Sequence, residues 1–243
     1  MDRIVLDRVV EINQEIVIEG PLLEALRFQR GRVGGLVTLT DAEGDEFRGR
    51  VLRRSGTQAS LLIFDRFPST TESTVEIILL QALPEKERME WIIQKATELG
   101  VSAIVPFKSA RSISLEEREA KQKKAHRWQE VAVKAVQQSR RARVPHVEAY
   151  RSFREALNAC GGEGLKILLW EKKGEHLRKV LNHYPAKKVY AIVGPEGGLT
   201  EEEVSLAKEA GFIPIKLGQR ILRTETAAIT LVGLLQYELG DLS

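Results

Sequence analysis

The sequence predicts an α/β fold, a mostly parallel sheet covered by helices and preceded by a small all-β domain. Three observations lead there. From residue 75 onward, short apolar runs bounded by Gly and Pro alternate with helix-length segments, as buried parallel strands and their crossovers do. Upstream, the runs lie closer together and carry turn signals between them, as in a small barrel. Composition shifts at the same place: residues 1–72 hold ten arginines and no lysine, and Lys86 is the first lysine of the chain. The reading is therefore two domains, 1–72 and 73–243, joined through Pro68-Ser-Thr-Thr-Glu-Ser-Thr74, a polar stretch without large apolar groups.

In the first domain, Glu15–Glu19, Leu36–Thr40, Glu46–Leu52 and Ala59–Phe64 read as strands, with Glu43-Gly44-Asp45 as a turn. A helix over Leu22–Gln29 is predicted, because Pro21 suits a first turn and Gly31 a C-terminal cap. In the second domain, Val75–Leu80 is a strand, followed by a helix from Pro84 to Leu99 and a strand over Val101–Phe107. A long helix starts at the Ser114/Glu117 capping box and runs towards Ser139. Ser152 and Glu155 cap a short helix. Leu165–Trp170 and Val189–Val193 are strands, with a helix near Glu175–Asn182 between them. Thr200 and Glu203 open the next helix and Gly211 closes it. Phe212–Leu217 is the last strand, and Thr224–Leu239 an apolar closing helix.

Hydrophobic content of 43% with 29% charged residues predicts an ordinary soluble globular protein. No run approaches the roughly 20 apolar residues that span a bilayer, so no membrane role is expected. The first residues carry no apolar export signal, and a cytoplasmic location is expected. Cys160 is the sole cysteine, and the four histidines (126, 146, 176, 183) lack metal-ligand spacing; no metal is expected. Charge is uneven: residues 108–143 hold eleven Lys/Arg against four Asp/Glu. Lys121, Lys123, Lys124, Arg127 and Lys134, then Arg140, Arg141 and Arg143, would suit phosphate contacts. Solvated pairing with Glu116, Glu117, Glu119 and Glu130 is the plainer alternative. Trp128 reads as a core or interface anchor.

Chemistry concentrates near the C-terminus. Gly194-Pro-Glu-Gly-Gly-Leu-Thr200 follows a strand, but it is neither the G-x-G-x-x-G of dinucleotide binders nor a P-loop. A nucleotide-binding enzyme would also need a phosphate-holding lysine, which is missing. Leu217-Gly-Gln-Arg-Ile-Leu-Arg223 is too apolar in its middle for a solvated turn. Ile221 and Leu222 suit the wall of a pocket for a flat group such as adenine. Glu225 suits a helix start, whereas Arg223 opposes the helix dipole and needs another reason to be there. Simple capping by Thr224 and Glu225 is the bland reading.

Together, Gly194-Pro-Glu-Gly-Gly-Leu and Leu217-Gly-Gln-Arg-Ile-Leu-Arg-Thr-Glu-Thr-Ala resemble the SPOUT class of S-adenosylmethionine-dependent RNA methyltransferases. More narrowly, the chain resembles the RsmE family, which methylates N3 of a uridine in 16S ribosomal RNA. The likeness extends to Glu87–Gly100, Pro106–Ser112, Arg127-Trp128, Gln138-Ser139 and Arg143–Pro145, and upstream to Ala25–Arg27, Gly34-Gly35 and Leu39–Asp41. One departure stands out. The family has glycine after Gln-Ser, and this chain has Arg140, which either strains a glycine-type backbone or turns a basic group towards RNA.

The resemblance implies a PUA-like β-barrel for RNA recognition over 1–72. It implies a SPOUT domain with a C-terminal trefoil knot over 73–243, in a homodimer acting on 16S rRNA or the small ribosomal subunit. It places S-adenosyl-L-methionine against Leu169, Glu171, Gly194, Gly198, Leu217, Gly218, Ile221, Leu222 and Thr226. Arg223 would stabilise the uracil anion, with Glu225 or Glu196 as base or as orienter of Arg223. RNA contacts are expected at Arg27, Arg111, Lys124, Arg127, Arg140, Arg141 and Arg143. Two alternatives use the same motifs: a SPOUT enzyme acting on a ribose 2′-hydroxyl or another base, and a non-catalytic RNA-binding assembly protein.

Overall fold

The computed structural model describes residues 4–28, 32–43, 45–67, 72–84, 86–112, 127–183 and 186–242. The Ser114/Glu117 capping box, Gly31, Lys121, Lys123 and Lys124 lie outside these residues. The chain forms two compact units: residues 1–72 with 136–144, and residues 73–135 with 145–243.

The first unit is a five-stranded sheet with one helix. Its strands are β1 (Ile4–Val5), β2 (Glu15–Glu19), β3 (Leu36–Thr40), β4 (Glu46–Arg54) and β5 (Gln58–Arg66), in the order β1-β3-β4-β5-β2. Helix α1 (Pro21–Phe28) follows β2 and starts at the proline, where a missing N–H costs nothing. Strict alternation puts Ile16 and Ile18 of β2 inside and Glu15, Val17 and Glu19 outside. The β3–β4 turn is set by Asp41, whose Oδ1 accepts from the backbone N–H of Glu43 and Asp45. Register shifts after Arg48 and Val51 bend β4 across Ile4, Leu26, Leu39, Leu61 and Ile63, all fully buried.

The second unit alternates strand and helix around a sheet in which every described pairing is parallel. Its elements run β6 (Glu76–Ala82), α2 (Lys86–Glu98), β7 (Ala103–Lys108), α3 (Arg127–Ser139, of which residues 136–139 belong to the first unit), β8 (His146–Val147) and β9 (Arg151–Ser152). They continue with α4 (Phe153–Asn158), β10 (Leu165–Leu169), β11 (Glu175–His176), α5 (Leu177–His183), β12 (Lys188–Val193), α6 (Glu201–Glu209), β13 (Ile213–Lys216) and α7 (Thr224–Leu239). The strand order is β11-β13-β10-β12-β6-β7-β8, with β9 also beside β7.

Strand β6 shows why this segment reads as a continuous apolar run. Ile77 and Leu79 enter one core with α2 and α7, while Ile78 and Leu80 enter the other with α4 and α6. A strand buried on both faces has no polar side to alternate with. Trp128 is 4% exposed and lies in the first of these cores, as an anchor should.

One predicted element changes type. Glu175–His176, assigned above to a helix, pairs in parallel with Ile215 and Lys216, and the helix starts only at Leu177. Pairing with a strand some forty residues later overrides local propensity here. Gly174 permits it: a Cβ there would lie 2.6 Å from the Ile215 carbonyl carbon.

Candidate active site

The loops after β10, β12 and β13 all leave the carboxyl ends of their strands, where open parallel sheets bind ligands. The first loop of interest runs from Gly194 to Thr200. Gly198 has φ +68°, and its N–H donates to the Pro195 carbonyl at 2.9 Å, closing a tight turn. Thr200 then caps α6. Its hydroxyl accepts from Glu203 N–H, and the Glu203 carboxylate accepts from Thr200 N–H at 2.9 Å.

Glu203 does more than cap. It is 7% exposed and also accepts from the Ser109 hydroxyl (3.1 Å) and the Ala110 N–H (2.8 Å). Through it the segment after β7 is fastened to the start of α6. Arg111 of that segment donates to the Gly197 carbonyl at 2.7 Å.

The second loop runs from Leu217 to Arg223, with Gly218 at φ +77°. It is tied to the first loop by Thr224. The buried Thr224 hydroxyl donates to the Gly194 carbonyl at 2.7 Å and accepts from Gln81 Nε2 at 3.1 Å. Thr224 is therefore not a cap: the N-cap of α7 is Arg223, which makes no side-chain capping bond. The bland reading of Thr224 does not hold.

Between the two loops lies a cleft of about 420 Å³. Of the residues expected around a methyl donor, Leu169, Glu171, Gly194, Gly198, Leu217, Gly218, Ile221 and Leu222 all line it, and so do Glu196 and Arg223. Thr226 does not. On a helix it lies about 200° around the axis from Thr224, and it is exposed while Thr224 and Ala227 face the cleft. Sequence reasoning missed Trp170, Arg88 and Ala227, which also form the lining. Trp170 is 9% exposed and its Nε1 has no hydrogen-bond partner among the described residues.

The carboxylates turn to an unforeseen partner. Arg88, in the first turn of α2, ion-pairs with Glu196 (Nη1 to Oε1, 2.8 Å) and lies 3.9 Å from Glu225 (Nε to Oε2). Among the described residues Arg223 pairs with neither, so the expectation that these carboxylates orient Arg223 is corrected. A signal existed, since a cation in the first turn of a helix opposes the dipole. Glu225 is 9% exposed, and its Oε2 accepts no hydrogen bond among the described residues.

The expected RNA contacts separate. Arg127, Arg140 and Arg143 are exposed. The side chain of Arg27, like Lys124, is outside the described residues. Arg140 adopts φ +58°, a left-handed conformation that favours glycine, and is exposed. Arg141 is corrected. It is 6% exposed, and its Nη2 donates to Glu72 at 2.6 Å, within a carboxylate that also accepts from the N–H groups of Ala142 and Arg143. A guanidinium buried in such a pair is spent on the fold and cannot reach a phosphate. No group of three or more His, Cys, Asp or Glu among the described residues could hold a metal ion.

Comparison with known proteins adds an independent line. A family model described as RNA methyltransferase domain matches residues 71–236. The ribosomal RNA small subunit methyltransferase E of Bacillus subtilis is 31% identical, over 94% of this chain and 95% of its own. Among solved structures, a ribosomal RNA small subunit methyltransferase E from Neisseria gonorrhoeae, bound to S-adenosyl methionine, superposes with a TM-score of 0.73. It is 34% identical, and all of both chains is covered. A putative methyltransferase from Legionella pneumophila, in complex with the same cofactor, gives 0.69 at 32% identity over 99% of each chain.

Proposed function

Since the chain belongs to the RNA methyltransferase domain family, and within it to the ribosomal RNA small subunit methyltransferase E proteins, we propose that it methylates N3 of a uridine in 16S rRNA. The methyl donor is S-adenosylmethionine. One observation carries the reading: Thr224 fastens the two glycine loops together, so that they enclose one cleft at the carboxyl edge of the sheet.

The residues fit the donor. A cleft of this size suits a nucleoside-sized ligand. Leu217, Ile221 and Leu222 offer apolar surface to a purine face, and Gly194, Gly198 and Gly218 let backbone groups approach closely. When bound, the sulfonium supplies an electrophilic methyl group.

The residues of the chain manage the acceptor. N3 of uracil carries a proton that must leave, and the resulting anion spreads charge onto the carbonyl oxygens. Arg223, exposed at the cleft and unpaired among the described residues, stabilises that charge. Glu196, which lines the cleft, receives the proton directly, or Glu225, buried and outside the lining, receives it through water. Glu196 lies at the same rim. Holding both reactants in line accounts for most of the rate.

Further features support the wider reading. Arg111, Arg127, Arg140 and Arg143 are exposed cations for phosphate contact. The first unit acts as a PUA-like barrel for RNA; Arg50 over the Phe64 ring and Arg48 over the Phe67 ring supply charge and stacking surface. Insertion of β13 between β10 and β11, followed by the return of Thr224 to Gly194, agrees with a trefoil knot. Exposed Trp91 (62%) on α2 and Tyr237 (58%) on α7, two helices that pack together, give a homodimer its apolar surface. No described helix is long and apolar enough to cross a membrane, and the proposed location is the cytoplasm with the ribosome.

The test is direct. Small ribosomal subunits lacking the modification are incubated with protein and labelled S-adenosylmethionine, and the labelled nucleotide is mapped by mass spectrometry. Label on uracil N3 of 16S rRNA is expected. Label on a ribose or another base would replace the proposed acceptor.

A further inference from the structure

Arg88 belongs to neither loop, yet it reaches the first loop and the helix that follows the second. It projects from the first turn of α2 into the cleft lining, meets Glu196 of the first loop at 2.8 Å and lies 3.9 Å from Glu225 at the start of α7. The Arg88 side chain is 28% exposed, Glu196 31% and Glu225 only 11%. Such partial burial strengthens ion pairs relative to those on an open surface. Two carboxylates converging here would repel one another without a cation between them. A guanidinium can serve both at once, because Nε and Nη1 point in different directions. Arg88 also stands where the dipole of α2 disfavours a cation, so its partners must outweigh that cost.

We infer that Arg88 is a positioning residue of the methyl-transfer site: by bridging Glu196 and Glu225 it fixes the first loop against the base of α7. The separation of the cleft walls and the placement of the Glu225 carboxylate both follow from this bridge. The inference rests on the methyl-transfer reading above and adds a residue to it.

Two measurements test it. With saturating donor and unmodified small subunits, Arg88→Gln lowers kcat by about 10²-fold, the scale of an ångström-sized misplacement. KM for the subunit stays within about threefold, because Arg88 does not hold RNA. Arg88→Lys recovers part of the loss, since an ammonium keeps the charge but pairs with one carboxylate at a time.

The second measurement needs no turnover. Calorimetric titration of S-adenosylmethionine into Arg88→Gln and Glu196→Gln shows binding weakened about tenfold in each, and the double variant is no weaker than the worse single one. A wild-type kcat in Arg88→Gln, a loss confined to KM for the subunit, or additive losses in the titration would each overturn the inference. If the wild-type protein binds the donor but methylates no RNA, the function reading falls, and the titration alone decides the role of Arg88.

Discussion

The first loop, residues 194–200, is fastened from several elements, whereas the second, residues 217–223, is fastened only where it enters α7. Gly194 accepts from Thr224, Glu196 pairs with Arg88, Gly197 accepts from Arg111, and Thr200 shares the buried Glu203 with the segment after β7. Among the described residues no hydrogen bond reaches 217–222, and Ile221 is 85% exposed. Leu217 and Leu222 pack against the core of the second unit, which leaves Ile221 as the exposed apolar residue of this loop. One wall of the cleft is held by hydrogen bonds; the other is held by apolar packing alone and leaves Ile221 exposed. Such a division lets a site hold geometry on one side and adapt on the other.

The largest effect that would break the contrast is at Arg223. With the role proposed for it, Arg223→Ala is expected to lower kcat by roughly 10²-fold or more. Stability moves by no more than about 0.5 kcal/mol, since the side chain is exposed and makes no described contact. A variant turning over at near wild-type rate with saturating donor would remove Arg223 from the chemistry. Thr224→Val gives the opposite profile. It leaves the Gly194 carbonyl and one donor direction of Gln81 unpaired in a buried place and costs about 1–3 kcal/mol in urea unfolding. An unchanged unfolding midpoint would mean that the loops are not joined there.

What could be read from the sequence follows the range of the interactions. Strands β2 and β3, the Ser152/Glu155 and Thr200/Glu203 capping boxes, and the limits of α7 depend on neighbours within a few residues, and they form where the pattern places them. The left-handed backbone of Arg140 had no such local signal; it was one of two alternatives raised by the resemblance to the family. The two-residue strands β8, β9 and β11 exist only through partners elsewhere in the sheet, so local patterns missed them. Most of the cleft lining was legible through the family resemblance that two contiguous motifs carry. Arg88 was not, since its partners lie more than a hundred residues away, and Arg141 looked like its basic neighbours until Glu72 buried it.

The finest test of the contrast compares two glycines with similar backbones. Gly198 and Gly218 both have positive φ, +68° and +77°, so alanine at either meets a backbone cost of roughly 1–2 kcal/mol. Their surroundings differ. A Cβ at Gly198 would lie 3.0 Å from Oε1 of Glu171, while one at Gly218 would find no atom within 4 Å. Gly198→Ala therefore displaces a cleft carboxylate as well as straining the turn, and it loses more stability and more donor affinity than Gly218→Ala. The loose second loop relieves part of its strain by shifting, which brings Gly218→Ala below the backbone figure. Chemical unfolding and donor titration of both variants supply the comparison. Equal losses at the two positions would show that the second loop is as constrained as the first, and the exposed Ile221 would then need another explanation.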